Sequence, residues 1–276
     1  MTTRDHPGQL PHRGAGLYDD RTMPRLDALI ARNLGLSRRQ VTRLLRAGRI
    51  HDPHGQRLDD GRVPCRPGDG PRPIVLDGHP HTLHHRMSVC LHKPVGVVTA
   101  HRDRRHPTAH ALLDEAPLRR ELRAVGRLDL DTSGLLLWTT DGTLLHRLTH
   151  PRYAVPREYH VGLAGPFEDP PPDLRLPDGH RAGIVTLARR APDDMHPGLR
   201  RSPRARVHAT IVLRTGRFHE VRRIFAALGT EVIDLCRVRF GVVTLPTSLP
   251  AGAYEPIDLH ARFRGLSPDL PPAALD

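Results

Sequence analysis

The residues best suited by type and spacing to do chemistry lie in one stretch, Val125-Gly126-Arg127-Leu128-Asp129-Leu130-Asp131-Thr132-Ser133-Gly134-Leu135-Leu136-Leu137-Trp138-Thr139-Thr140-Asp141-Gly142. Asp129 is presented just before a Thr-Ser-Gly turn, an apolar extended run follows, and Asp-Gly closes it. A carboxylate held this way can serve as nucleophile, base or metal ligand, or can merely accept hydrogen bonds from the turn's amides. Asp129 and Asp131 would also sit on the same side of an extended strand, ~6.5 to 7 Å apart along it, which suits the paired carboxylates of a glycoside hydrolase. The turn that follows them and the basic charge of the chain speak against that pairing.

These residues need elements to position them. Val89-Cys90-Leu91-His92-Lys93-Pro94-Val95-Gly96-Val97-Val98-Thr99 predicts an apolar strand running into Lys-Pro and a glycine that permits unusual backbone geometry. Tyr159 stands at the head of a further strand, after Leu148-Thr149-His150-Pro151. Residues 166–203 are rich in Pro and Arg and carry no evident chemistry, with Asp193, Asp194 and Met195 expected to be exposed. Val207, Ala209, Ile211 and Leu213 then alternate as a half-buried strand. In Thr215-Gly216-Arg217-Phe218-His219-Glu220-Val221-Arg222-Arg223-Ile224-Phe225-Ala226-Ala227-Leu228-Gly229, a helix would bury Val221, Ile224, Phe225 and Leu228, so Arg222 and Arg223 must project elsewhere.

Nearer the start, Leu26, Leu29 and Ile30 share one helical face, and Ser37 with Gln40 forms a capping box ahead of a helix that buries Val41, Leu44 and Leu45. Arg39, Arg43 and Arg46 recur at the helical period on another face, where guanidiniums suit phosphate contacts. The text from Arg66 to Met87 is rich in Pro, Gly and His and reads as ending in a linker, with His79, His81, His84 and His85 as linker residues rather than a metal site. The resulting division is a disordered tail (residues 1–23), a small first domain (24–80), a linker (81–87), a larger second domain that holds the Asp129 stretch (88–264) and a Pro-rich tail (265–276).

The net charge of +12 and pI near 11.0 argue for a polyanionic partner, because clustered cations gain affinity by displacing counterions from phosphates. Lys93 is the only lysine, so base composition explains Arg over Lys but not the excess of cations over Asp and Glu. Three scattered cysteines fit a reducing compartment. No run approaches the ~20 apolar residues of a membrane span, and no apolar signal core opens the chain, so a cytoplasmic protein that does not engage membranes is expected.

The whole string Gly126-Arg127-Leu128-Asp129 with Thr132-Ser133-Gly134-Leu135-Leu136-Leu137 resembles the active-site motif of pseudouridine synthases, in the bacterial ribosomal RNA branch. Lys93-Pro94-Val95-Gly96-Val97-Val98 and Gly216-Arg217-Phe218-His219-Glu220-Val221-Arg222-Arg223 resemble the flanking family segments, with His92 in place of Asn and Glu220 in place of Gln. Arg25-Leu26-Asp27, Leu34 to Arg38 and Gly48-Arg49-Ile50 are similar to an S4-type module, although the usual turn after its helix is replaced by Ile50-His51-Asp52-Pro53-His54-Gly55. The resemblance implies an α+β fold, with a mixed, mostly antiparallel sheet split by an RNA cleft behind a small S4-like domain. It implies Asp129 as the catalytic carboxylate, Arg222 as its paired cation, and Tyr159 as the residue that stacks on uracil and helps move a proton at C5. It further implies RNA contacts from Arg127, Lys93, Arg217, His219 and Arg223, joined by Arg38, Arg39, Arg43 and Arg46 of the helix.

Isomerising uridine involves neither redox change nor hydrolysis, so no cofactor is expected. His106-Pro107-Thr108 and Leu112-Leu113-Asp114-Glu115 resemble the approach to this motif in the small-subunit enzymes, pointing to 16S ribosomal RNA, free or in an assembling subunit; a monomer is expected. A 23S enzyme of the same family and a noncatalytic assembly factor are the alternatives.

Overall fold

The computed structural model describes residues 23–264; the two expected tails lie outside the described residues, apart from Met23. The described chain separates into two compact units that divide between His85 and Arg86.

In the first unit, α1 (Leu26–Leu34) and α2 (Arg38–Arg46) pack on a small antiparallel sheet of β1 (Ile50–His51), β2 (Arg72–Leu76) and β3 (His79–Leu83). Gly35 ends α1 in the left-handed region, φ 66°, a conformation that favours glycine. The capping box expected at α2 is present: the Ser37 hydroxyl accepts from the Gln40 amide, and the Ser37 amide donates to Gln40 Oε1 at 2.8 Å. Leu26, Leu29, Ile30, Val41, Leu45, Ile50, Ile74 and Leu83 form the core. The unusual turn after β1 closes on itself through Asp52, whose Oδ1 accepts from His54 and Gln56 amides at 2.9 and 2.8 Å. Residues 81–83 of the expected linker are strand, paired with Arg72, Pro73 and Ile74, and the unit continues to His85. The polar, His-rich text hid this strand because one of its faces is solvated.

The second unit is built on a sheet that, among the described residues, has nine strands. They are β4 (Ser88–Lys93), β5 (Arg123–Ala124), β6 (Ser133–Thr139), β7 (Arg157–Leu163), β8 (Ile184–Arg190), β9 (Val207–Leu213), β10 (Val232–Phe240), β11 (Val243–Thr244) and β12 (Tyr254–Pro256). The main order is β12-β4-β6-β10-β7-β9-β8, and every pairing is antiparallel except β6 with β10. This is the expected α+β arrangement with a mixed, mostly antiparallel sheet.

β6 explains its own sequence. All seven of its residues are buried, Leu136 and Trp138 in one core and Leu135 and Leu137 in the other, so it reads as a continuous apolar run. Helix α4 (Glu220–Ala227) covers the first face with Val221, Ile224 and Phe225, whereas α3 (Gly142–Thr149) and α5 (Leu259–Arg262) cover the second. The stretch expected as plain loop contributes the edge strand β8. Its Met195 is buried with Leu199 in the second core, against the expected exposure, because a thioether gains more from packing than from water.

Candidate active site

Asp129 lies in the loop joining β5 to β6, and the flanking motif serves to hold that loop. Thr99 grips Leu128 from both sides, its hydroxyl donating to the carbonyl at 2.8 Å and accepting from the amide at 3.0 Å. The Gly96 amide donates to Leu130 O at 2.8 Å, and Lys93 Nζ donates to Thr132 O at 2.7 Å and to Pro94 O at 2.9 Å. Beyond the aspartate, Gly134 sits at φ 110°, where an added Cβ would lie 2.3 Å from Arg237 O on β10. The Thr-Ser-Gly turn therefore ends in glycine because two parallel strands meet there backbone to backbone.

Lys93, expected to touch RNA, is fully buried. Burial pushes its ammonium down to about 8, with Asp129 and then Asp131 drawing it back up. Its cation is spent on the loop's carbonyls.

A cavity of about 380 Å³ opens beside Asp129. The aspartate loop, Tyr159 of β7, the Thr215–His219 segment, the start of α4 and Leu235 and Arg237 of β10 line it. Asp129 is half-exposed, with Oδ2 3.7 Å from His219 Nε2. The expected ion pair between Arg222 and Asp129 is absent; Arg222 Nη2 instead lies 2.8 Å from Asp131 Oδ2, and Nη1 donates to Val232 O at 2.9 Å. The helix carries Arg222 into the cavity lining, but its guanidinium meets the carboxylate two residues beyond the one that faces the cavity.

Tyr159 is buried, only 9% exposed, and lies opposite Arg237 across the β7–β10 pairing. Sequence reasoning passed over Arg237 as part of a closing strand. Its guanidinium sits beside the Tyr159 hydroxyl, Nε donates to Leu135 O at 2.9 Å, and burial lowers its pKa against the pull of Tyr159. An arginine set between Leu235-Cys236 and Val238, in a strand that also carries Asp234 and Arg239, was the available signal, since cations are rarely buried without a task.

The remaining RNA-contact candidates separate by environment. Arg127 and Arg217 are exposed at the cavity, and His219 stands inside it. Arg223 is turned to Asp178 at 2.7 Å, so its charge is already matched. In the first unit, Arg39, Arg43 and Arg46 are exposed on α2, while Arg38 reaches the buried Asp27 at 2.9 Å. Glu220 stands in the cavity wall but is buried, and it accepts from the Thr215 hydroxyl at 2.5 Å and the Arg217 amide at 2.9 Å.

A carboxylate, a tyrosine and cationic groups around a base-sized cavity can isomerise a nucleoside, and known proteins identify the class. Residues 87–227 match the profile of the RNA pseudouridylate synthase family. The chain belongs to this family and is an RNA pseudouridine synthase, an isomerase. It is 37% identical over 235 residues to the ribosomal small subunit pseudouridine synthase A of Yersinia pestis, covering 84% of this chain and 94% of that one. Its identity to the protein of the same name from Escherichia coli (strain K12) is 35% over 234 residues, covering 84% and 96%. A crystal structure of a pseudouridylate synthase superposes with a TM-score of 0.54 at 30% identity, over 88% of this chain and 99% of the other.

Proposed function

We propose that this chain converts one uridine of small-subunit (16S) ribosomal RNA to pseudouridine in the cytoplasm, with Asp129 as the reacting carboxylate. The observation that carries the assignment of the residue is that Asp129 lines the cavity whereas Asp131 does not. The relatives' names supply the small-subunit substrate.

The target uridine must leave its stack before its glycosidic bond is accessible, and a cavity of about 380 Å³ can take a single flipped base. Ionised Asp129 breaks the bond, either by attacking the ribose or by withdrawing a ribose proton. Tyr159 holds the freed uracil face-on while it turns, and its hydroxyl assists removal of the C5 proton once the new bond forms. Arg222 braces the aspartate loop through Asp131. Arg127, exposed beside the cavity, contacts the RNA backbone or fills the space the base vacates. The first unit acts as an S4-like RNA-binding module through the exposed arginines of α2.

The test maps pseudouridine in 16S and 23S ribosomal RNA by carbodiimide labelling and primer extension, in wild type, a deletion, and the deletion complemented with Asp129→Asn. One 16S site lost in the deletion and not restored by the variant is expected. A lost 23S site would overturn the substrate, and an unchanged map would favour an assembly factor.

A further inference from the structure

Among the described residues, Phe218 is the exposed aromatic side chain. The other four phenylalanines are buried, yet Phe218 is 76% exposed on the segment that borders the cavity. It is not loose: its ring lies flat on His219, centroids 3.8 Å apart and planes 16° from parallel. With one face covered by the imidazole, the other is presented outward.

The backbone is bent to achieve this. His219 adopts φ 51°, a left-handed conformation that a non-glycine residue holds only where surrounding structure enforces it. Enforcement comes from beneath, where buried Glu220 holds the Thr215 hydroxyl and the Arg217 amide. Arg157 Nη1 donates to Thr215 O at 3.3 Å, and a Cβ on Gly216 would meet its guanidinium at 3.3 Å. The stack is thus preorganised, so little conformational entropy remains to be lost on binding. Its inner ring is the one that approaches Asp129, at 3.7 Å. Arg217 and Arg127, both exposed, supply positive charge at the same rim.

We propose that the Phe218–His219 stack is a platform for a nucleobase of the RNA, the unpaired nucleotide next to the uridine that enters the cavity. An aromatic face beside guanidiniums is the combination that holds unstacked nucleotides, with the ring taking the base and the cations the phosphates. Between a base lying on the outer face of Phe218 and Asp129 stand only the Phe218 and His219 rings, 3.8 Å apart, with His219 3.7 Å from the carboxylate, a separation that a single nucleotide step of extended backbone spans. This reading rests on the proposed function for the identity of the RNA.

Phe218→Trp provides the reporter, because the chain's only tryptophan, Trp138, is 1% exposed and remote from solvent quenching. On titration of the full chain with a 16S ribosomal RNA transcript, the new indole emission is expected to be quenched by the stacked base. Phe218→Ala is expected to bind the transcript about 5- to 150-fold more weakly, with the slope of affinity against salt unchanged. Phe218→Tyr should restore binding and Phe218→Leu should not, and all four variants should melt with wild type because the side chain is exposed. Unaltered binding by Phe218→Ala, rescue by Phe218→Leu, or an unquenched indole would overturn the platform; the first would mean that Phe218 meets a protein instead. Failure of the proposed function looks different: wild type would bind and quench but form no pseudouridine in the transcript or in the assembling subunit.

Discussion

Arg222 Nη2 stands 2.8 Å from Asp131 Oδ2, whereas Asp129, two residues earlier, faces His219 Nε2 at 3.7 Å. The two aspartates therefore have separate duties, one open to the cavity and one tied to the helix. Asp129→Asn is expected to lower single-turnover pseudouridine formation roughly a thousandfold or more while leaving RNA affinity near wild type. Asp131 is largely exposed, so Asp131→Asn should lower the rate by about fivefold or less, the scale of an exposed ion pair. Tritium release from RNA labelled at uracil C5 reads both; equal losses would mean that the pair acts as one unit.

Arg222 is tied to that loop through Asp131. Arg222→Ala should therefore damage rate more than affinity, by roughly tenfold in single-turnover rate, more than Asp131→Asn because it also removes the bond to Val232 O. A binding assay alongside the kinetics checks this, and the reverse order of effects would remove Arg222 from the aspartate's support.

Lys93 gives the fold a particular pH dependence. Its ammonium is pushed from the ordinary 10.5 to about 8 by burial. Between those values the unfolded chain holds a proton on Lys93 that the folded chain has released, so stability rises with pH across the window. Below about 8 the full cost of the buried charge, about 3 kcal/mol, is present. Urea denaturation of wild type and Lys93→Met from pH 7 to pH 10 should show this gain only in wild type. As the only lysine, Lys93 should also resist amine-directed labelling until the chain unfolds.

The sequence revealed the strand β6, the helix α4 and the aspartate because local patterns decide them: a run of apolar residues, a 3.6-residue stripe, a turn. It was less informative about partners in space. Nothing local tells that Arg222 meets Asp131 rather than Asp129, since the helix fixes only which face an arginine leaves from. The resemblance of its Lys-Pro segment implied an RNA contact for Lys93, but its burial depends on a carbonyl supplied from Thr132. Arg237 and Met195 were hidden for a similar reason: one is a charge in a strand whose neighbours define a cavity, the other an apolar residue in a polar stretch whose core is distant in sequence.

Gly134 links turn and sheet. An alanine there would place its Cβ 2.3 Å from Arg237 O and require φ near 110° of a residue that avoids it. Both strands would have to part where Asp129 is anchored. Gly134→Ala is expected to lose ~3 kcal/mol or more of stability by urea denaturation. Gly126, also at positive φ but with nothing within 4 Å of an added Cβ, should lose about 1 kcal/mol on the same change, which separates backbone strain from collision.

Glu220 tests the loop that carries Phe218 and His219. Its carboxylate accepts two hydrogen bonds, from the Thr215 hydroxyl and the Arg217 amide. Glutamine can keep both, because its oxygen accepts from the amide while its NH2 donates to a hydroxyl free to rotate. Glu220→Gln should therefore stay within about threefold of wild-type kcat/KM, as expected for the residue that the family motif carries here. Glu220→Ala instead orphans a buried acceptor's two donors and releases the bend at His219. A loss of about tenfold in kcat/KM is expected, carried mainly by KM because the loop meets RNA before chemistry begins. Steady-state kinetics on a 16S transcript decide between them: a large loss in Glu220→Gln would mean that the negative charge itself, rather than the hydrogen bonds, orders the site.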